Sequence, residues 1–140
     1  MVIKWKDEYS CYDPVIDAQH AKLIDLINEM NDVAKLVEDG IDSYDELVSI
    51  FNELKDYAVY HFSHEEKMFE EHGYDSFNIK VQKIEHDNFK NKVSAINIYD
   101  LDENQDETVR SILDFLSKWL DHHILKIDKK FGEFLRDKNE

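Results

Sequence analysis

Seven histidines are spread along a chain of 140 residues, and four of them, His20, His61, His86 and His123, fall on apolar rather than polar faces. Glu65 stands four residues after His61 and Gln82 four residues before His86, so each shares a helical face with the neighbouring imidazole. One histidine in such a place is ordinarily a hydrogen-bonded core residue, but a buried carboxylate without a partner is costly. A metal centre removes that cost, because imidazole nitrogens and carboxylate oxygens from several helices can surround one cation. Asp128 is the less obvious candidate, since five residues beyond His123 is about 140° round a regular helix. On spacing alone it reads better as an exposed acid pairing with Lys126 or Lys129, and a ligand role requires a distorted turn or a long reach. His64, His72 and His122 fall off the apolar faces and read as surface side chains.

The elements that must position these residues follow from the punctuation. An N-terminal arm, residues 1–16, closes at Pro14, and Asp17 is placed to cap a first helix over about 17–38 in which His20, Leu23, Ile27, Met30, Ala34 and Val37 share a face. Ser43 with Glu46 forms a capping-box pattern for a second helix over about 43–71, burying Leu47, Phe51, Leu54, Ala58, His61, Glu65 and Met68. Gly73 stops it. A third helix over about 76–98 lines up Ile79, Gln82, His86, Phe89, Val93 and Ile96, and the acidic stretch Asp100–Asp106 reads as a connector. A fourth, over about 106–135, carries Val109, Ile112, Leu116, Trp119, His123, Ile127 and Phe131 inward. The expected architecture is all-α, a single domain folded as an up-down-up-down antiparallel four-helix bundle with an N-terminal arm.

In that bundle the candidate ligands come level. His20 lies twenty residues before Gly40 and His61 twenty-one after it; His61 lies twelve before Gly73 and His86 thirteen after it. At about 1.5 Å of rise per residue, antiparallel neighbours at matched counts differ little in height. Glu65 faces Gln82 by the same arithmetic, at eight and nine residues from Gly73.

Composition narrows the function classes. Acidic residues number 32 against 17 basic, a formal charge of −15, which repels phosphate backbones and anionic lipid surfaces. No nucleic acid and no membrane are therefore expected as partners. With three glycines and one proline the chain suits a helical domain. The start has no apolar signal stretch, and the expected compartment is the cytoplasm. Cys11 is the single cysteine, so no internal disulfide forms. Trp5, Phe62, Phe89, Trp119 and Phe131 read first as core packing, with a secondary reading as a wall around a ligand pocket.

The stretches Ile16-Asp17-Ala18-Gln19-His20, His61-Phe62-Ser63-His64-Glu65-Glu66, Glu85-His86-Asp87-Asn88-Phe89 and Trp119 through Asp128 resemble the bacterial hemerythrins. The similarity extends over nearly the whole chain, including Trp5 and Gly73-Tyr74. It implies a four-helix bundle with two non-haem iron ions bridged by two carboxylates and a solvent oxygen, binding dioxygen reversibly at one iron. On that resemblance His20 and His61 would hold the oxygen-binding iron, His86 and His123 the second, and Glu65 and Asp128 would bridge. One departure stands out: Gln82 occupies the first position of the family's usual HxxxH motif on the third helix. Its amide oxygen could ligate weakly, it could hydrogen-bond a metal-bound water, or it could fill space.

The leading expectation is reversible dioxygen binding, by an oxygen carrier, buffer or sensor, with azide as a small-anion ligand. The alternatives are an enzyme reducing peroxide or nitric oxide at open iron positions, motivated by Gln82, and a ligand-sensing regulatory module, disfavoured because the chain runs out soon after the fourth helix. A ferritin-like oxidase needs Glu-x-x-His pairs, which are absent, and a zinc protease needs a second histidine where Met68 stands. The sequence leaves the oligomeric state open and is compatible with a monomer.

Overall fold

Asp13 and Pro14 together set the start of the first helix. In the structure, a computed structural model describing residues 3–96 and 105–138, helix α1 (Pro14–Glu38) opens on Pro14, whose preset φ and missing N–H suit a first turn. One Asp13 oxygen accepts from the backbone N–H groups of Val15 and Ile16 at 3.0 and 2.9 Å. The helix thus begins before Asp17, the cap expected from sequence. Asp17 instead ties down the preceding segment, accepting from Ser10 Oγ and from the Cys11 N–H, both at 2.7 Å.

Helices α1 and α2 (Tyr44–Glu71) end alike. Gly40 and Gly73 take φ of +80° and +67°, and the residue after each bonds back to a carbonyl five positions earlier, Ile41 to Leu36 and Tyr74 to Phe69. This paired closure satisfies carbonyls that have no partner within the helix, and glycine adopts it without a Cβ penalty. The expected capping box at Ser43 does not form. Its φ and ψ, −127° and 27°, do not aim the hydroxyl at the first turn; Ser43 Oγ donates to Ile41 O, and Asp42 Oδ1 accepts from the Tyr44 N–H. Helix α3 (Ser76–Ser94) is capped by Asp75, which accepts from the Asn78 N–H at 3.0 Å. It stops short of the expected 98, and positions 97 and 98 lie outside the described residues. Helix α4 (Gln105–His122) runs through a π-helical segment (His123–Asp128) into α5 (Lys129–Lys138); most of the expected connector Asp100–Asp106 lies outside the described residues.

The regular elements of the described residues are all helices, without strands, and form a four-helix bundle: α1 packs on α2 and α4, α2 on α3, and α3 on the π-helical segment. Leu23, Ile27 and Met30, with Leu47, Phe51, Leu54, Phe89, Val93, Ile112 and Leu116, bury one apolar layer. Phe69, Tyr74 and Phe131 build another, their rings meeting edge to face with Phe131 4.7 Å from Phe69 and 4.9 Å from Tyr74. The segment before α1 lies on the outside of the bundle. Tyr9 Oη donates to Asp121 at 2.7 Å, and Lys129 Nζ donates to the carbonyls of Glu8 and Ser10. Gly132 permits this contact, because a Cβ there would overlap the Cys11 backbone and its carbonyl oxygen. Trp5, expected in the core, is therefore 40% exposed, tilted against the Tyr9 ring. Cys11 is a free, buried thiol whose pKa burial pushes far up, so it is not a reactive nucleophile. Among the described residues no helix is long and apolar enough to cross a membrane.

Candidate metal centre

The four inner-face histidines arrive one from each side of the bundle, His20 on α1, His61 on α2, His86 on α3 and His123 at the head of the π-helical segment, each at most 1% exposed. Glu65, Gln82 and Asp128 are equally buried. Asp128 reaches the set because hydrogen bonding in a π turn spans five residues, which brings positions five apart towards one face. The same turn shifts the inward register, so that Ile124 and Asp128 are fully buried while Ile127, expected inward, is only half-buried.

Two overlapping groups result. His20, His61, Glu65 and Asp128 each bring a ligand atom within 4.8 Å of the others, and so do Glu65, His86, His123 and Asp128. The two carboxylates are common to both. His61 Nε2 lies 2.8 Å from Glu65 Oε1 and His86 Nε2 3.7 Å from the same oxygen. His20 Nε2 lies 3.0 Å from Asp128 Oδ2, and His123 Nε2 lies 3.1 Å from Asp128 Oδ1. Despite these distances, the Nε2 atoms of all four imidazoles, both Glu65 oxygens and Asp128 Oδ2 have no aligned hydrogen-bond partner. They lie close to one another without hydrogen-bond alignment. Buried polar atoms in that state are costly unless a cation draws on all of them, and the donor set of nitrogen and carboxylate oxygen fits iron.

Electrostatics carry the same imprint. Burial raises Glu65 well above the usual carboxylate range, and the nearby Asp128 charge adds to it. Burial also opposes charge on Asp128, but His123 and His20 outweigh it and hold that carboxyl low. Burial lowers His61 to about 4 and His86 to about 2, whereas on His123 the same penalty is overcome by Asp128 and Glu85, raising it to about 10. Without cations the protein thus accommodates one charged carboxylate through one imidazolium, and the second carboxylate is driven towards its neutral form. Positive ions between them reverse that balance.

The outward nitrogens are held by residues whose role the spacing did not reveal. His61 Nδ1 donates to Gln19 Oε1 at 2.6 Å, His86 Nδ1 to Glu66 Oε2 at 2.8 Å, and His123 Nδ1 to Glu85 Oε1 at 3.4 Å. These acceptors hold a proton on Nδ1 and turn Nε2 towards the centre, where it is free to bind a cation once any proton it carries is displaced. Gln19, Glu66 and Glu85 each sit beside a candidate ligand in sequence, at His20, Glu65 and His86, but each serves an imidazole on a neighbouring element. The adjacency was the only available signal. His20 Nδ1 is buried and has no such acceptor.

Gln82 also faces the centre, in a role outside the three expected ones: its Nε2 donates to Asp128 Oδ1 at 2.9 Å, steadying that carboxylate, while Oε1 is buried without a partner. Phe62 stacks on His86 with ring centroids 4.1 Å apart, and Trp119 on His123 at 4.4 Å. These two rings, with Leu23, Ile27, Leu54 and Phe89, also line a small apolar cavity. His64, His72 and His122 take no part in either group. His122 is exposed as expected; His64 and His72 are only partly so, and Lys138 Nζ donates to the His72 carbonyl.

A helical bundle whose interior gathers histidines from four directions around two shared carboxylates defines a bundle-core metal-binding protein. Residues 13–135 match the family described as Hemerythrin HHE cation binding domain, and the chain belongs to the hemerythrin family, whose members bind non-haem iron. It is 38% identical over 127 residues to a bacteriohemerythrin of Clostridium acetobutylicum, covering 91% of this chain and 96% of that one. A bacteriohemerythrin of Pseudomonas aeruginosa is 28% identical, with 97% and 88% covered, and one of Methylococcus capsulatus is 30% identical, with 85% of each covered.

Proposed function

We propose that this chain binds dioxygen reversibly at a di-iron centre in an up-down-up-down bundle, as a cytoplasmic carrier or buffer. One iron would be held by His20 and His61, the other by His86 and His123, with Glu65 and Asp128 bridging. The observation that carries this reading is the sharing of both carboxylates between two histidine pairs whose inward nitrogens have no other partner. Two ferrous ions there would supply the redox chemistry of reversible dioxygen binding. The protein's own residues do the rest. Glu65 and Asp128 offset the mutual repulsion of the cations, and Gln82 keeps Asp128 in line. Phe62 and Trp119 cover the imidazole faces and keep water and protons from the centre, which protects a reversible ligand from side reactions.

A second reading, reduction of peroxide or nitric oxide, draws on Gln82, which stands where the family pattern has a histidine and would leave the second iron with two imidazoles and an open position. One experiment separates the two. The di-ferrous protein is prepared anaerobically, exposed to dioxygen and then purged; full recovery of the starting optical spectrum over repeated cycles is expected. Irreversible oxidation on the first exposure, or sustained peroxide consumption, overturns the carrier reading in favour of the enzyme.

A further inference from the structure

We infer that Glu66 and Glu85 are positioning residues that make the His86–His123 half of the centre the tighter metal site and the one of lower potential. The inference rests on the di-iron reading above. It starts from an inequality between the two halves. On one side His61 Nδ1 meets the neutral amide oxygen of Gln19, and His20 Nδ1 makes no hydrogen bond, although Asp17 brings a carboxylate oxygen within 4.8 Å of a His20 ring nitrogen. On the other, His86 and His123 Nδ1 both meet carboxylates.

The difference is one of charge. An N–H directed at a carboxylate polarises the ring and raises the basicity of the opposite nitrogen, more than one directed at an amide does. A more basic Nε2 binds a cation more strongly and favours the more highly charged ferric form. The Glu66 contact, at 2.8 Å, has the length of a charge-assisted bond, while that of Glu85, at 3.4 Å, is longer and gives the smaller share. Both carboxylates keep roughly a quarter of their side-chain surface in solvent, at 28% and 25%. Neither carboxylate belongs to the two groups of converging ligand atoms, so each stands beside the centre without joining it.

The arrangement also offsets the amide at Gln82. The half with one imidazole fewer than the family pattern is the half whose two imidazoles are backed by negative charge. Electron supply lost at one position is restored through the outward nitrogens of two others.

The test uses the full chain and ferrous iron alone, titrated anaerobically against a competing chelator, with the midpoint potentials of the two irons read separately. The variants are Glu66→Gln, Glu85→Gln and Gln19→Glu, with far-ultraviolet circular dichroism to follow helix content. The parent is expected to bind two irons in two steps. Each Glu→Gln variant should weaken the tighter step by about 10–100-fold, Glu66→Gln the more, and raise the lower of the two potentials. Gln19→Glu should do the converse, strengthening the weaker step and lowering the higher potential. A merely structural role would not produce these opposite movements. Unchanged affinities and potentials in the Glu→Gln variants, an equal loss in both steps, or a loss confined to the weaker step overturns the inference while leaving the di-iron centre standing. A parent chain that binds fewer than two irons overturns the centre itself.

Discussion

His123 and Asp128 are five residues apart in sequence and 3.1 Å apart in space, Nε2 to Oδ1, because the turn between them is π-helical. In a regular helix they would diverge by about 140°. Here both side chains are buried on one face, and His20 Nε2 and Gln82 Nε2 reach the same carboxylate from α1 and α3 at 3.0 and 2.9 Å. Asp128 is thus a meeting point of three elements. Its loss should be felt at both halves of the centre.

On the di-iron reading, Asp128→Ala and Glu65→Ala should each reduce bound iron from two ions per chain to one or none, since a shared carboxylate would contact both positions and offset their repulsion. His122→Ala, removing an exposed imidazole, should leave two. Metal analysis after reconstitution with ferrous iron decides it. An Asp128→Ala protein loaded as fully as the parent would mean that the π turn serves packing alone.

Gln82→His should slow autoxidation, weaken azide binding and lower peroxide turnover, because an imidazole is a stronger donor than a neutral amide and sits one turn from His86. The three quantities are compared in parent and variant under one buffer and temperature. If none moves, Gln82 acts only through its hydrogen bond to Asp128, and the enzymatic reading loses its support.

Gly132→Ala is expected to lower stability by about 1–3 kcal/mol, the usual cost of overpacking a close contact. The added methyl would overlap the Cys11 backbone and lift the segment that Asp17 and Lys129 hold down. Urea unfolding reads the change. An unaltered midpoint would show that this segment is not docked against α5.

In the metal-free protein His61 should stay neutral until the pH nears 4, which ring resonances followed by nuclear magnetic resonance will report. Burial depresses its pKa from the ordinary 6.5, so the unfolded chain takes up a proton before the folded one does. The stability it contributes is therefore complete above about 6.5 and is lost as pH falls through about 4. His86, depressed further by burial and by the charge on His123, should push the loss in the same direction. A His61 ring that titrates at its ordinary value in the folded state contradicts the burial described here.

The sequence by itself determined the bundle, the ends of α1 and α2 and most of the centre. Apolar residues at three- and four-residue steps specify helices whatever surrounds them, Gly40 and Gly73 supply the backbone freedom their closures need, and matched distances from those turns bring His20, His61 and His86 level. A buried glutamate among histidines carries its own demand for a cation, so Glu65 too was legible. Other features were settled only by the tertiary structure. The capping of α1 by Asp13 instead of Asp17 followed from the docking of the N-terminal segment, which claims the Asp17 carboxylate for Ser10 and Cys11. Asp128 turned inward through a local change of helical period, which regular spacing rules cannot anticipate, and Ile127 lost its inward place by the same change. Gln19, Glu66 and Glu85 acquired their partners across helix interfaces, where contact depends on the rotation and approach of two elements, quantities that a one-dimensional pattern does not contain.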